Sequence, residues 1–587
     1  MSTVPEKMAY AVKLAFQRSR MFRKARAMYI KQYVGKYYRE KYGLVGDEPV
    51  NMIFNVIRAM VPNYVMKNPR TKVSTEIVEY DNYAFLLSKA LDQIDAKIKF
   101  KDILRLGVVD AHFCMGIFKT GIADSFSMLD FGDQFIDQGQ LFTDWVDLDD
   151  FVFDPYASLL RRAGWMGDRV TVPRQMLLDD DNFDHDAIMK LPRSTTSQTE
   201  RKAQALSKSD MSLSEIDDLN DFVDLMELWI AGENIKVYMP DPHQLILPEF
   251  LDGEDFYGPD DGPYDILSLT QPVPGNPFPI APVGIYYDLH MMANNVVTKV
   301  LKQAARQKDI VVVDPAGQDE GEDIRTASDG ETILGNPDTV KSISLGGQNQ
   351  GNERMMNQLH NWFNYMAGNP DQIAGASSDA ESATEFQGMQ ANASVTLEDA
   401  RGMVADCASN IKRKHAWYFH HDPFLEAPIA IRKPGGKREQ LALTPAQRRG
   451  DFEDYVFSIK YRSMLTLDPN IKSRRLMEFA IKVIPSLMTS AQIASQMGVE
   501  FNVSNCVKDL AESMDIDEEI LDWFNDPLFV ERIKLMYAMG PKPTGKASIQ
   551  SNGQAANTAS VPNMQQMNRQ NQQQGAAESQ SQLKEGM

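Results

Sequence analysis

Cysteine is scarce in this chain of 587 residues: only Cys114, Cys407 and Cys506 occur, far apart. No CxxC pair and no Cys/His ligand spacing exists, which speaks against a zinc site and suits a reducing compartment. No apolar run of about 18 residues is present, so no membrane-spanning helix is expected. The first residues carry no signal-peptide pattern, and the expectation is a soluble intracellular protein. Positive charge is also in deficit. Lys and Arg number 61 against 81 Asp and Glu, a formal net charge of -20. Phosphate binding needs clustered Lys and Arg, so simple adhesion to nucleic acid is disfavoured. An acidic protein can still handle DNA that must slide and not stick, because like charge on a channel wall lowers affinity and friction together.

Catalytic signatures are equally thin. Gly540-Pro-Lys-Pro-Thr-Gly-Lys546-Ala547 approaches a phosphate-binding loop. Ala547 stands where a metal-binding hydroxyl is needed, two prolines interrupt the loop, and no strand precedes it. Asp149-Asp150 and Asp179-Asp180-Asp181 pair acids without a third oxygen source, which reads as solvated turns. His415, His420 and His421 have spacings of five and six, poor for one helical face; helix-end histidines stabilised by the dipole are the simpler reading. No catalytic residue, metal ligand or cofactor site is assigned, and no enzymatic activity is expected.

What is present is mostly helix. At this length the chain should divide into several domains. Residues 1–42 read as one or two basic helices, with eleven Lys/Arg against Glu6 and Glu40 and with Tyr29, Tyr33, Tyr37, Tyr38 and Tyr42 interleaved. Such a face either contacts DNA or an acidic partner, or is solvated and offsets acid elsewhere in the fold. Residues 51–73 read as an apolar helix ending near Asn68-Pro69 and leading into a strand, and 81–106 as further amphipathic helix. Residues 106–121 pass from helix to strand, and 126–153 are strand-rich. Residues 173–220 are polar and helical with a loose stretch. Phe222 to Tyr238 reads as a hairpin turning at Gly232-Glu233-Asn234. Pro240 to Pro282 is a proline-rich connector, and a helix of about 20 residues, roughly 30 Å, covers 288–308. Ile310 to Val313 is a strand, Asp314 to Asp329 an acidic loop, and Glu331–Leu334 and Val340–Leu345 are short strands. Residues 429–459 are strand and loop, 469–539 are helices, and 541–587, rich in Gln and Asn without any aromatic, should be disordered.

The most informative stretch runs from Glu353 to His421. Met355, Met356, Leu359, Trp362, Phe363 and Met366 recur at spacings of three and four, giving an apolar helix face. Gly368-Asn369-Pro370 stops that helix. A small acidic loop, 371–381, follows without Lys or Arg. From about Ser382 to His421 a long helix is expected, weakened only at Gly388 and Gly402. The Met-rich helices look like adaptable packing surface, as at subunit interfaces.

In order and spacing these elements resemble the portal, or head-to-tail connector, proteins of tailed bacteriophages over roughly residues 45–470. The resemblance rests on Asn51…Val61-Pro62…Asn68-Pro69, then Asp110-Ala-His-Phe-Cys-Met-Gly116-Ile-Phe-Lys119, then Asp150-Phe-Val-Phe-Asp154-Pro155 with Trp165. It continues in the helix at 289–306, the β insertion behind it, the Gly368-Asn-Pro break, and Ala383-Thr384-Glu385-Phe386 opening a long helix. It implies an α+β, predominantly α, fold. The implied divisions are N-terminal helices and an α/β wing at 1–288, a stem helix at 289–307, a β clip at 308–347 and a second stem helix at 348–366. A tunnel loop at 367–382, a long wing helix and strands at 383–468, a helical crown at 469–540 and the tail at 541–587 complete it. It also implies a ring, usually of twelve subunits in that family, a homododecamer at one capsid vertex of the virion. Such a ring conducts duplex DNA during genome packaging and ejection and meets the terminase, a tail adaptor, capsid and scaffolding proteins, with no membrane involved.

Lys299, Lys302 and Arg306 are the candidates for guiding phosphates along the channel; the alternative is interchain salt bridges with neighbouring copies. Asp371, Gln372, Ser377 and Asp379 are tunnel-loop candidates whose role would be steric. The competing functions are another virion structural protein such as a tail adaptor, and a packaging enzyme.

Overall fold

The computed structural model describes residues 3–35, 50–123, 128–130, 135–137, 139–180, 182–194, 221–244, 248–306, 308–314, 318–328, 332, 340–345, 350–373, 383–432, 438–460, 464, 476–496, 506–507 and 510. The fold is mixed α+β with helix predominant. Helix α1 spans Val4–Val34 as a single rod. Thr3 and Glu6 form a reciprocal capping box at its start, satisfying backbone N–H groups that have no intrahelical partner. Helix α2 (Met52–Tyr64) is capped by Asn51, whose Oδ1 accepts from the Phe54 N–H at 2.9 Å. It ends at Tyr64, short of Asn68-Pro69, with Pro62 inside its last turn. Strand β1 is Arg70–Thr75.

The expected continuous helix over 81–106 is two helices, α3 (Asp81–Lys97) and α4 (Phe100–Phe113). Lys99 stands between them in the left-handed region at φ 53°. Strands β2 (Gly116–Ala123), β3 (Met128–Asp130), β4 (Phe135–Asp137), β5 (Gln140–Val146), β6 (Phe151–Phe153) and β7 (Trp165–Pro173) follow. Among the described residues the polar stretch after 173 holds two short helices, α5 (Arg174–Leu178) and α6 (His185–Lys190); residues 195–220 lie outside the described residues. Strands β8 (Phe222–Ile230) and β9 (Ile235–Pro240) form the hairpin. The proline-rich connector is more ordered than its composition implies, since β10 (Asp252–Asp255) and β11 (Tyr264–Leu267) each join a sheet.

Helix α7 (Pro282–Ala305) begins several residues earlier than expected, with Pro282 in its first turn where its missing N–H costs nothing. Strand β12 (Lys308–Val313), helix α8 (Gln318–Thr326) and strand β13 (Val340–Leu345) come next. Helix α8 corrects the acidic-loop reading of 314–329. Acids at its start and Arg325 at its end suit the helix dipole. Residues 331, 333 and 334 of the expected strand at 331–334 lie outside the described residues. Helices α9 (Gln350–Met366), α10 (Pro370–Ile373) and α11 (Ala383–His421) precede strands β14 (Ala427–Arg432), β15 (Arg438–Leu443) and β16 (Tyr455–Lys460). Beyond them a π-helical turn, Phe479–Val483, runs into α12 (Ile484–Gln496), packed around Phe479, Leu487 and Val507. Most of the remaining 469–540 stretch, and all of 541–587, lie outside the described residues.

Two antiparallel sheets organise the first half. One has order β10-β9-β8-β7-β6 and the other β11-β2-β5. Side chains alternate across each strand. On one face of the larger sheet, Val152, Trp165, Met226, Leu228 and Met239 pack against Ala9, Val12, Ala15 and Phe16 of α1. On the other face, Val223 and Leu225 pack against Leu177, Ala187 and Ile188 of α5 and α6. That second face also meets the smaller sheet, where Lys119 Nζ lies 2.8 Å from Asp168 and 2.9 Å from Glu227. Burial opposes the charge on Lys119, but the two carboxylates outweigh it and hold its pKa up. The largest core joins α2, α4, α7, α9 and α11 through Ile53, Leu104, Val283, Phe363 and Val404.

The basic N-terminal segment is neither simply solvated nor wholly free for a partner. Arg26 is 3% exposed and places Nε 2.6 Å from Asp110 Oδ1 and Nη1 2.8 Å from Asp147 Oδ1. Burial raises the Asp110 pKa to about 6 even though Arg26 pulls it down. Arg23 donates to the carbonyls of Asp149 and Phe151 at 2.9 and 2.7 Å, and burial lowers its pKa to about 10. Arg18 donates to the carbonyls of Pro155 and Ala157. The motif 150–155 is therefore held from behind by one face of α1.

Candidate functional site

Helices α7 and α9 lie side by side and run antiparallel. Tyr286 near the start of α7 meets Phe363 near the end of α9, with ring centroids 5.1 Å apart at 71°. At the other end Asn352 Nδ2 donates to Gln303 Oε1 at 3.0 Å. Between the ends so joined, β12 and β13 pair antiparallel from Lys308↔Leu345 to Val313↔Val340. The Lys308↔Leu345 pair is nearest the helices, so the hairpin extends away from them by about 20 Å, at 3.4 Å per residue.

The apolar residues of α9 divide between two faces, where the sequence spacing suggested one. Leu359 and Phe363 are buried at 1% and 2%, while Met355, Trp362, Tyr365 and Met366 are exposed. A cavity of about 750 Å³ opens on the opposite side of α9 from Trp362, between α2, α7 and α9, with Arg58, His360 and Asp371 at its rim. Tyr286 places its hydroxyl in the core beneath, and burial drives its pKa upward. Asn294, also buried, accepts from the Val50 N–H at 3.0 Å and donates to the His290 carbonyl at 3.0 Å, tying α7 to the chain entering α2.

Lys299, Lys302 and Arg306 are all exposed and fall on one stripe of α7, at spacings of three and four. None has an ion-pair partner among the described residues. Asp371 lies toward the other end of the helix pair. Gly368 at φ 80° and Asn369 at φ 56° turn the chain out of α9, a conformation Gly adopts freely and Asn more readily than most. The Asp371 carboxylate then accepts from Asn364 at 2.6 Å and lies 3.1 Å from His360 Nε2. The start of this loop is thus pinned back onto α9. The backbone of Gln372 belongs to α10, while Ser377 and Asp379 lie outside the described residues.

Helix α11 is gripped near its end by three successive basic residues. Lys412 is fully buried against Asp95, and burial pushes its pKa well below the usual lysine value. Arg413 reaches Asp261 at 3.0 Å and Glu453 at 3.1 Å. Lys414 reaches Asp265 at 2.9 Å and the Tyr264 carbonyl at 2.8 Å. Successive helical residues differ by about 100°, so the three point to different walls.

The remaining candidates have local duties. Asp149 and Asp150 lie 3.6 and 3.7 Å from Arg26 and Arg169. Asp179 accepts from Gln175, and Asp180 caps the Asn182 N–H. His415 is buried beside Thr143 at 2.8 Å, and burial holds its pKa well below the usual value. His420 bonds the Tyr83 hydroxyl at 3.1 Å; burial lowers its pKa too, outweighing the rise expected at a helix end. His421 bonds the Trp417 carbonyl. Among the described residues no group of three or more His, Cys, Asp or Glu is placed to hold a metal ion. No described helix is long and apolar enough to cross a membrane. The near phosphate-binding loop at 540–547 lies outside the described residues.

No family model matches the chain, and no curated protein does.

Proposed function

We propose that this chain is a portal protein: a ring of copies at one capsid vertex, through which duplex DNA passes in packaging and ejection. One observation carries the reading. Two adjacent antiparallel helices, α7 and α9, hold a β-hairpin between their ends, and α9 leads through a Gly-Asn-Pro break toward the 39-residue helix α11. In the family that the sequence resembles, this order corresponds to stem, clip, tunnel loop and wing helix.

The exposed chemistry of the helix pair supports a ring. Trp362, Tyr365 and Met355 leave a large apolar surface uncovered in the single chain, the kind of surface a subunit contact uses. A heterologous contact between identical copies closes into a ring when the rotation between neighbours divides a full turn. Lys299, Lys302 and Arg306 would then guide phosphates weakly, within a chain acidic enough to limit adhesion. The hairpin is the docking platform for terminase and tail adaptor, and the body contacts capsid and scaffolding proteins. The role is structural, without turnover.

Negative-stain imaging or native mass spectrometry of the purified chain tests this. Rings of about a dozen subunits around a hole wide enough for duplex DNA are expected. A stable monomer, a closed shell, or ATPase or nuclease turnover abolished by one point substitution would overturn it.

A further inference from the structure

Helix α1 turns Arg18, Arg23 and Arg26 inward but leaves a second stripe outside. Tyr10, Met21 and Met28 are 68%, 72% and 52% exposed. Their spacings of 11 and 7 keep them on one line of the helix, since 11 residues make close to three turns and 18 make five. Lys13, Arg20 and Lys24 flank that line, exposed, without an acid partner among the described residues. Large apolar side chains interleaved with free cations are not what a solvated face needs. DNA phosphates would satisfy the cations and leave Tyr10 and the methionines uncovered.

The complement is on the same chain. Helix α1 lies on one face of the five-stranded sheet, and α5 and α6 lie on the other. The segment carrying α5 and α6 exposes Asp179, Asp180, Asp184 and Asp186, none of them ion-paired among the described residues. One sheet therefore separates a cationic, apolar-studded face from an acidic one. A head-to-tail contact between identical copies requires two different, complementary patches on each copy, which this arrangement supplies.

We infer that the outer stripe of α1 docks on the α5–α6 face of a second copy of this chain, forming the wing-to-wing contact of the ring. The inference rests on the ring reading above and goes beyond it by naming the two surfaces. The apolar line supplies area, and the charges fix which faces meet.

Charge reversal on the full chain tests it. K13E/K24E makes both faces acidic, and D180K/D186K makes both basic. All four positions are exposed, so each variant should keep the wild-type circular dichroism spectrum, with D180K/D186K melting slightly lower for the lost cap on the Asn182 N–H and K13E/K24E melting as wild type. Each alone should lose assembly at about 0.1 M salt, with the assembled fraction down at least tenfold, because like charges across an interface cost several kcal/mol. Mixed one to one, they should recover rings in which the two variants alternate, read by native mass spectrometry. Wild-type rings with K13E/K24E assembling equally well would overturn this contact and leave the ring reading standing. So would a mixture that stays dissociated, or a K13E/K24E variant that loses only DNA binding. A monomeric wild type would overturn both.

Discussion

Helix α1 turns Arg18, Arg23 and Arg26 into the body, where carbonyls and carboxylates meet them. Helix α7 turns Lys299, Lys302 and Arg306 to solvent with no acid beside them among the described residues. The two helices are comparably basic along part of their length, yet charge does different work in each. In α1 an arginine is a fixed strut, since a buried guanidinium and its carboxylates tolerate the loss of neither partner. In α7 the cations pair with no described acid and remain available to whatever comes alongside. A basic stretch is therefore ambiguous until the side of the helix that carries it is known.

The comparison can be broken at its strongest point first. Replacing Arg26 with Met strands Asp110 and Asp147 without their cation and should cost about 3–5 kcal/mol in urea unfolding; a loss below about 1 kcal/mol would mean the strut is dispensable. Adjacent residues on α9 extend the contrast. Phe363→Ala should cost about 3–5 kcal/mol, whereas Trp362→Ala should leave folding nearly unchanged and weaken assembly, as sedimentation of the two variants would show.

Acidity separates the buried groups from the exposed ones. Burial holds His112 at a pKa of about 4, against an ordinary value near 6.5. A histidine depressed in this way favours the folded state fully above about pH 6.5, and the contribution is lost as pH falls toward 4. The loss from His112 should be about 3 kcal/mol between pH 7 and pH 4, with His415 adding in the same direction. The variant H112Q should flatten that part of the stability–pH curve, and an unchanged slope would refute the assignment. The smallest effect is expected for K299A/K302A/R306A. Its unfolding free energy should stay within about 0.5 kcal/mol of wild type. Its duplex-DNA association should depend less steeply on salt, by about 0.9 in log–log slope for each phosphate contact removed. A large fall in stability would show that these side chains are struts after all.

Much of this contrast was open to a reader of the sequence. Val12, Phe16, Ser19, Arg23 and Arg26 recur at spacings of four and three, so the arginines continue the buried stripe of α1. That periodicity marks them as inward-facing, but a charge tally over 1–42 conceals it. The α7–hairpin–α9 order was legible from the helical stretch at 288–308, the Ile310–Val313 run and the Gly368-Asn369-Pro370 break, because glycine, proline and β-branched residues act locally, whereas Pro282 reads as the end of a connector although it opens α7. The break at Lys99 was not, since neither Gly nor Pro marks it and the amphipathic pattern runs on through it. The division of the α9 apolar residues into a buried and an exposed set was hidden for another reason. It depends on which side α7 and α2 approach, and that is decided by contacts distant in sequence. The same holds for Asp371, whose tie to His360 and Asn364 depends on the direction in which Asn369 turns the chain.

The three successive basic residues near the end of α11 have a mechanical consequence. A peg pinned at three points around its circumference resists rolling about its own axis. Asp95 belongs to α3, Glu453 to the turn before β16, and Asp261 and Asp265 to one segment at β11, so breaking one pin leaves two that still oppose torque. A twist applied where α11 begins, at Ala383, would accordingly pass into the sheets and not be spent in turning the rod within its seat.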